Sequence, residues 1–238
     1  MDGIACTRRS RGSLFPTLIL LALTSLASTA CRPQEDRGQY LENRPPKLNA
    51  VGEKCAGKGA DQMCLALHYV VYEDDAGRPV VDSAAAAENV RQVNEVYSAC
   101  GIAFQIDNFE TVKPSEAGLS YSTASFEEMD AARTAYGEQS TLLAITTGPW
   151  SGALKAAGAN AWTQPPQADV WGVVMEARVA DYSNILGHEL GHYLDLEHVS
   201  DQSNLLNPVV YLSSKSLSTK QCQTMRDAVN LYWTAMLR

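Results

Sequence analysis

A cluster of histidines constrains the fold of this chain more than any other feature of its sequence. Residues 188–198 read His-Glu-Leu-Gly-His-Tyr-Leu-Asp-Leu-Glu-His and hold three of the four histidines in the chain. In a helix, His188 and His192 lie one turn apart on the same face, so both imidazoles can aim at one ion. Glu189 sits beside that face, where a carboxylate suits a general base acting on metal-bound water. The spacing therefore predicts a helix that carries a catalytic zinc site.

The third histidine, His198, limits the length of this helix. It lies ten residues after His188, which places it about 280° further around a continuous helix with about 3.6 residues per turn. Such a helix would aim His198 away from the ion. The helix must therefore end near Leu194 or Asp195, and the chain must turn back. That turn requires a residue with positive φ, and Asp195 is suited to it because Asp adopts such a backbone conformation more readily than most residues.

The segment resembles the zinc-binding motif of the metzincin clan of zinc endopeptidases, H-E-x-x-H-x-x-G-x-x-H. The resemblance implies that His188, His192 and His198 bind one catalytic Zn²⁺ and that Glu189 is the catalytic base. It also implies that the substrate is an extended peptide or protein. The chain departs from the motif at Asp195, where the clan usually has Gly.

Two further features of the clan have counterparts in this sequence. The clan has a tight turn that carries a Met beneath the metal, often as L-M-x-P. Residues 205–208 read Leu-Leu-Asn-Pro, so the resemblance makes Leu206 and Pro208 the equivalent turn residues, and a buried Leu fills a similar volume. An edge strand above the cleft pairs with the substrate backbone in the clan. The order of the clan's strands and helices places this edge strand in the present chain at four substrate-binding candidates: Gly158, Ala159, Asn160 and Ala161.

Other side chains are weaker candidates for the third metal ligand. A different class of zinc peptidase uses a Glu far downstream of H-E-x-x-H, but no Glu follows Glu197 in this chain. Asp201 and Asp227 are the weak alternatives, and Asp201 suits a role in supporting the loop or a ligand better. We expect His68, in a strand far from the motif helix, to be a packed or surface histidine rather than a ligand.

Strands and helices interleave along the chain, which indicates an α/β (α+β) domain. Apolar and alternating patterns predict strands at 63–72, 102–109, 141–147 and 170–177 and an irregular edge strand at 159–163. Apolar stripes and caps predict helices at 83–100, 126–136, 182–194 and 218–236. Ser83 is the predicted N-cap of the first helix, and Ser218 and Gln221 form a predicted capping box in the last. The resemblance implies a metzincin-like mixed twisted sheet with an active-site helix, a Met-turn-like loop and a C-terminal helix.

The first thirty residues have the pattern of an export signal. Three arginines precede the apolar run 14–27, and small residues precede Cys31. The run is shorter than the about 20 residues of a bilayer span. We therefore predict a signal peptide at 1–30, a lipid anchor to the membrane at Cys31, a tether at 31–60 and a zinc metallopeptidase domain at 61–238. A monomeric lipoprotein of the outer membrane or cell surface is the preferred interpretation, and plain secretion or a periplasmic location is the alternative.

Charge and cysteine content narrow the function further. Removing residues 1–30 takes away three Arg and one Asp, so the formal net charge goes from −8 to −10. An acidic protein has no general attraction for nucleic acid.

Four cysteines follow Cys31, and an even count in an exported chain suggests two disulfides. Three pairings are possible, of which we favour Cys55–Cys64 with Cys100–Cys222. A structural zinc site is the competing interpretation, but no C-x-x-C pair supports it.

Two functions fit these features. The first is a zinc-dependent endopeptidase in which Glu189 assists the attack of water on a peptide carbonyl. The second is a proteolytically inactive, metal-binding surface lipoprotein that binds a partner. The departures from the clan at Asp195 and Leu206 motivate this second hypothesis. The presence of Glu189, which is not needed by a site that only holds metal, favours the enzyme.

Overall fold

Five strands form one mixed sheet in the part of the chain that the computed structural model describes, residues 49–59 and 61–238. They are β1 (Met63–Tyr72), β2 (Ile102–Val112), β3 (Leu142–Thr147), β4 (Ala161–Thr163) and β5 (Val173–Glu176). The strand order is β2-β1-β3-β5-β4. Only the pairing of β4 with β5 is antiparallel, and the other neighbours are parallel. The mixed sheet predicted from the sequence is confirmed.

Three helices separate the first four strands, and two helices follow the fifth strand. They are α1 (Ser83–Tyr97), α2 (Phe126–Tyr136), α3 (Gly152–Ala157), α4 (Ser183–Tyr193) and α5 (Thr219–Tyr232). The capping box of Ser218 and Gln221 at the start of α5 is confirmed. The N-cap of α1 is Asp82 and not Ser83, because the Asp82 carboxylate accepts the Ala85 N–H at 2.8 Å. Helix α3 was not predicted, since its six residues are too few to show a helical period.

Both faces of the sheet are covered, so the apolar strand residues alternate between two clusters. One cluster packs against α1, α4 and α5, and its strand members include Leu65, Leu67, Tyr69, Leu142, Ala144, Val173 and Met175. The other packs against α2 and α3, and its strand members include Val70, Tyr72, Leu143, Ile145 and Val174. All ten residues of β1 are buried, as expected for an interior strand of a parallel sheet.

The described part of the predicted tether is attached to the domain. Val51 N donates a hydrogen bond to Ile106 O of β2 at 3.2 Å, and Phe109 N donates to Asn49 O at 3.0 Å. The predicted signal peptide, Cys31 and the first part of the tether lie outside the described residues. Among the residues that are described, no helix is long and apolar enough to cross a membrane.

One short-range and one long-range disulfide crosslink the domain. Cys55 is bonded to Cys64 at the beginning of β1, and Cys100 is bonded to Cys222 in the first turn of α5. This is the pairing favoured from the sequence. The second bond joins residues 122 positions apart, so it fixes α5 against the segment that follows α1.

Candidate metal centre and active site

The active-site helix α4 ends in a left-handed turn. Asp195 has a φ of 67°, and it is the only residue other than glycine with positive φ in the described ranges. Asp195 N donates to His192 O and Leu196 N donates to Gly191 O, both at 3.0 Å. This pair of hydrogen bonds is a Schellman motif, which closes a helix with a left-handed residue. The helix therefore stops where the position of His198 requires it.

The chain after this turn brings a third imidazole back to the helix. The Nε2 atoms of His188 and His192 are 3.0 Å apart, and the Nε2 atom of His198 lies 3.2 Å and 3.1 Å from them. A tetrahedral zinc ion with Zn–N bonds of about 2.0–2.1 Å holds its nitrogens about 3.4 Å apart. The three nitrogens thus have nearly the spacing of a zinc site that leaves one coordination position open.

Backbone carbonyls determine which nitrogen of two histidines carries the proton. His188 Nδ1 lies 2.7 Å from Leu205 O, and His192 Nδ1 lies 2.7 Å from Leu196 O. Because a carbonyl only accepts, both Nδ1 atoms carry hydrogen, and each neutral ring presents its Nε2 lone pair to the centre. Lone pairs that converge in this way repel one another unless a cation lies between them. The donor set therefore fits a zinc ion, with the two carbonyls orienting the ligands.

Burial keeps these imidazoles neutral. Desolvation, together with the nearby His192, lowers the pKa of His188 to about 4. Desolvation also lowers the pKa of His192 and of the more exposed His198. A neutral imidazole is the form that binds a metal, so the site does not have to lose protons near neutral pH before an ion can enter.

Glu189 supplies a buried carboxylate to the site. Its side chain is 6% exposed, and its Oε2 atom accepts a hydrogen bond from the Thr163 hydroxyl at 2.6 Å. Burial raises the pKa of Glu189 to about 7, while the Thr163 hydrogen bond and the positive charge of Arg133 oppose the rise. A carboxyl with a pKa near neutrality is matched to taking and returning a proton at that pH.

The turn at 205–208 packs beneath α4 against two glycines. Leu206 is fully buried, and a Cβ added at Gly191 would lie only 2.9 Å from its Cδ2 atom. Gly187 faces Leu205 one helical turn earlier, where an added Cβ would lie 3.4 Å from the Leu205 Cδ2 atom. The same turn supplies the carbonyl that orients His188. Leu206 therefore packs against the active-site helix, and its equivalence to the Met of the clan stays a prediction.

Two polar side chains that the sequence did not link to the metal centre support this turn. Asn204 Oδ1 accepts the Leu206 N–H at 2.9 Å. The side chains of Asn204 and Gln221 also exchange two hydrogen bonds, at 2.8 Å and 3.0 Å. Gln221 could be recognised from the sequence only as part of the capping box of α5. Pro208, at the end of the turn, is exposed.

The edge strand begins later than the sequence predicted. Strand β4 comprises Ala161–Thr163, so Gly158, Ala159 and Asn160 lie outside it. Gly158 ends α3 with a φ of 73°. Asn160 O accepts the Glu176 N–H at 2.8 Å, so this carbonyl faces the sheet. Because α3 ends at Ala157 and Gly158 caps it, residues 158–160 connect that helix to the strand, and only Ala161 of the four candidates is in the strand.

The register of β4 shows which backbone groups face outward. Hydrogen-bonded and non-hydrogen-bonded pairs alternate along an antiparallel ladder. Because Asn160 is hydrogen-bonded to β5 and Trp162 pairs with Val174 two residues on, the backbone groups of Trp162 also face β5. Those of Ala161 and Thr163 then face the open edge, where an extended peptide can pair with them.

A buried arginine, which the sequence analysis did not predict, is hydrogen-bonded to this strand. Arg133 is 2% exposed. Its Nη2 atom donates to Trp162 O at 2.9 Å, and its Nε atom donates to Gly172 O at 2.9 Å. An arginine in a helix usually reaches solvent, and no sequence signal showed that this one is enclosed.

The remaining sequence candidates are not grouped with the three histidines. His68 is buried in β1, with Nε2 3.2 Å from Glu110 Oε2, which confirms that it is a packed histidine. Asp201 Oδ1 accepts the Ser203 N–H at 2.9 Å and supports its own loop. Asp227 accepts a hydrogen bond from Gln223 on α5. Within the described ranges, the only side chains grouped to hold an ion are the three histidines of the motif.

Comparison with known proteins identifies the family. Residues 72–230 match the family model named Matrixin, which is more than half of the chain. The chain belongs to the matrixin family. No curated protein matches it.

Two solved structures match the chain in a structural comparison. Metalloproteinase-II from Bacteroides fragilis is 14% identical with a TM-score of 0.50, and the match covers 81% of this chain and 60% of that chain. Archaemetzincin from Methanopyrus kandleri is 16% identical with a TM-score of 0.47, and the match covers 74% of this chain and 99% of that chain. The chain thus spans about 60% of the length of the Bacteroides protein.

Proposed function

We propose that this chain is a zinc-dependent endopeptidase that hydrolyses peptide bonds with Glu189 as the general base. One observation carries the proposal. The Nε2 atoms of His188, His192 and His198 converge to within 3.2 Å of one another, and the carboxylate that follows His188 in the helix is buried but is not grouped with them as a ligand. A site that only stored metal would have no use for such a carboxylate.

Each part of the site has a role in this proposal. His188, His192 and His198 would hold a zinc ion, which would supply a Lewis acid that acidifies water and polarises a carbonyl. Glu189 takes the proton from the attacking water and returns it to the leaving amine. The outward backbone groups of Ala161 and Thr163 align an extended substrate by strand addition. The Leu205 and Leu196 carbonyls hold the rings of His188 and His192 in the binding orientation.

Metal content and peptide cleavage, measured on the same samples, test the proposal. The protein should bind about one zinc ion, as three histidines with one open position imply. Glu189→Ala should keep the zinc and lose cleavage of a peptide library. Glu197→Ala is the matched control, because this acid also adjoins a histidine in sequence but is exposed, and it should keep both. Full cleavage by Glu189→Ala would show that the role given to Glu189 is wrong.

The alternative is a metal-binding surface protein that cleaves nothing and binds a partner. The replacements at Asp195 and Leu206 motivate it. The Schellman turn accommodates Asp195, and Leu206 packs against Gly191 beneath the helix. Both replacements are thus compatible with an intact site, which favours the enzyme. A protein that binds zinc but cleaves no member of a diverse peptide library would favour the alternative.

We also propose that the protein is exported and acts as a monomer anchored by a lipid on Cys31. The support is the sequence pattern of residues 1–31 alone. Cys31→Ser should move the protein from the membrane fraction to the soluble fraction, and light scattering of the soluble form should give the mass of one chain. A native N-terminal peptide without lipid would favour plain secretion.

A further inference from the structure

We infer that Thr163 is a positioning residue that holds the Glu189 side chain and connects it to the strand on which a substrate would lie. The inference rests on the proposed function, because it concerns the base of that reaction. No motif marks Thr163, and only the fold brings it to Glu189, 26 residues further along the chain.

The contact between the two side chains is short and directional. Thr163 Oγ1 lies 2.6 Å from Glu189 Oε2 and 3.2 Å from Glu189 O. The hydroxyl has one hydrogen to donate, and the shorter distance, typical of an O–H donor bound to a carboxylate, assigns it to Oε2. Across the described residues no hydrogen bond engages the second carboxylate oxygen, Oε1. Thr163 therefore fixes the orientation of the carboxylate and leaves Oε1 to accept a proton.

Thr163 is itself held in place from two sides. It pairs with Val173 of β5 in the sheet. Arg133 binds the carbonyl of the preceding residue, Trp162, at 2.9 Å, and its Nη1 atom is paired with Asp130 at 2.7 Å. A residue fixed in this way can restrain a neighbour, because its own hydroxyl has little freedom to follow the carboxylate.

The same residue also faces the open edge of the sheet. The alternation along β4 directs the backbone groups of Thr163 outward, while its side chain reaches Glu189 on α4. A peptide that adds to this edge would pair with the Thr163 backbone and so restrain the residue that orients the base. The hydroxyl takes no part in that pairing. Its loss should therefore lower kcat and leave KM nearly unchanged.

Steady-state kinetics on a cleaved peptide test this role. Thr163→Val keeps the shape and removes the donor, and it should lower kcat about tenfold to a hundredfold, the effect of a misplaced catalytic group. KM and zinc content should stay within about twofold of the parent, because substrate pairing and the histidines are untouched. Thr163→Ser should restore kcat to within about threefold. Thr134→Val is the control, since its exposed hydroxyl bonds only to Asp130 O of its own helix.

A second measurement does not depend on activity. Urea unfolding of the zinc-free protein is compared for the parent, Thr163→Val, Glu189→Ala and the double variant. Thr163→Val should lower the urea midpoint more when Glu189 is present than when residue 189 is Ala, because the Ala variant leaves the Thr163 hydroxyl only the residue 189 carbonyl at 3.2 Å. Equal shifts in both backgrounds would show that the two side chains are not coupled.

The outcomes separate this inference from the proposed function. If the parent protein cleaves no peptide, the proposed function is wrong, and the role of Thr163 in positioning the base is then wrong as well. A parent that cleaves normally, with a Thr163→Val variant of unchanged kcat, overturns the inference alone. An equal loss of kcat in Thr163→Val and Thr163→Ser also overturns it, because the serine hydroxyl would then have failed to replace that of threonine.

Discussion

Two glycines on one face of α4 should respond in opposite ways to replacement by alanine. Alanine in a helix interior is more stable than glycine by about 0.5–1 kcal/mol. At Gly187 the new Cβ would meet Leu205 Cδ2 at 3.4 Å and Val93 Cγ2 at 3.6 Å, which are ordinary contacts. Gly187→Ala should therefore raise the free energy of unfolding by about 0.5–1 kcal/mol.

At Gly191 packing should outweigh helix propensity. The new Cβ would lie 2.9 Å from Leu206 Cδ2, 3.2 Å from Leu206 Cδ1 and 3.3 Å from Tyr97 Oη. Leu206 and Tyr97 are fully buried, so neither side chain can swing into solvent. Overpacking of a dense core costs about 1–3 kcal/mol, which exceeds the gain in propensity. Gly191→Ala should lower the free energy of unfolding by about 1 kcal/mol.

Urea unfolding of the zinc-free proteins measures both changes. Zinc affinity provides a second assay, because a displaced Leu206 moves the neighbouring Leu205 carbonyl that orients His188. Gly191→Ala should weaken zinc binding, and Gly187→Ala should not. Leu206→Ala should also cost less stability in the Gly191→Ala background than in the parent, because the new methyl fills part of the cavity. If Gly191→Ala stabilises the protein as much as Gly187→Ala, the packing described for the turn is wrong.

Three further perturbations have definite expected outcomes. Asp195→Gly should raise the free energy of unfolding by up to about 1 kcal/mol, because a left-handed backbone costs glycine least, and thermal melting that shows Asp195→Val as stable as Asp195→Gly would contradict this. Burial raises the pKa of Glu189 from 4.5 to about 7, so the contribution of Glu189 to the stability of the zinc-free protein should fall as pH rises between these values. Because glutamine does not titrate, Glu189→Gln should be more stable than the parent by about 3 kcal/mol at pH 8. If urea unfolding shows the same difference in stability between the variant and the parent at pH 4 and at pH 8, the raised pKa of Glu189 is not the cause. Replacing Cys100 and Cys222 with Ser should cost about 2–5 kcal/mol, and an unchanged denaturant midpoint would show that this crosslink does not constrain the unfolded chain.

The geometry of the metal centre was predictable because it depends on local structure. His188 and His192 share a helix face by their spacing, and the position of His198 requires the helix to end. Asp195, with its φ of 67°, is the residue at which the chain turns. The capping box at Ser218 was readable for the same reason, since its partners are three residues apart.

The edge strand was predicted less well because its limits depend on a short neighbouring helix. The six residues of α3 have no long apolar stripe, and Gly158 marks the end of that helix instead of the start of the strand. The predicted strand therefore began at Ala159, two residues before its observed start at Ala161.

The contacts that hold the Glu189 side chain could not be predicted from the sequence, because they join residues that only the tertiary structure brings together. Thr163 meets Glu189 across 26 residues, and Arg133 meets Trp162 across 29. Neither pair follows a helical or strand period. The close approach of Leu206 to Gly191 is likewise a product of how the turn docks beneath the helix.

Cleavage of a peptide library before and after zinc removal tests the central claim most directly. The parent protein should cleave internal peptide bonds, a chelator should abolish the cleavage, and stoichiometric zinc should restore it, because the site offers three imidazole ligands and one open position. Cleavage that continues at full rate after the zinc has been removed and its absence verified would contradict the claim that His188, His192 and His198 form the catalytic centre.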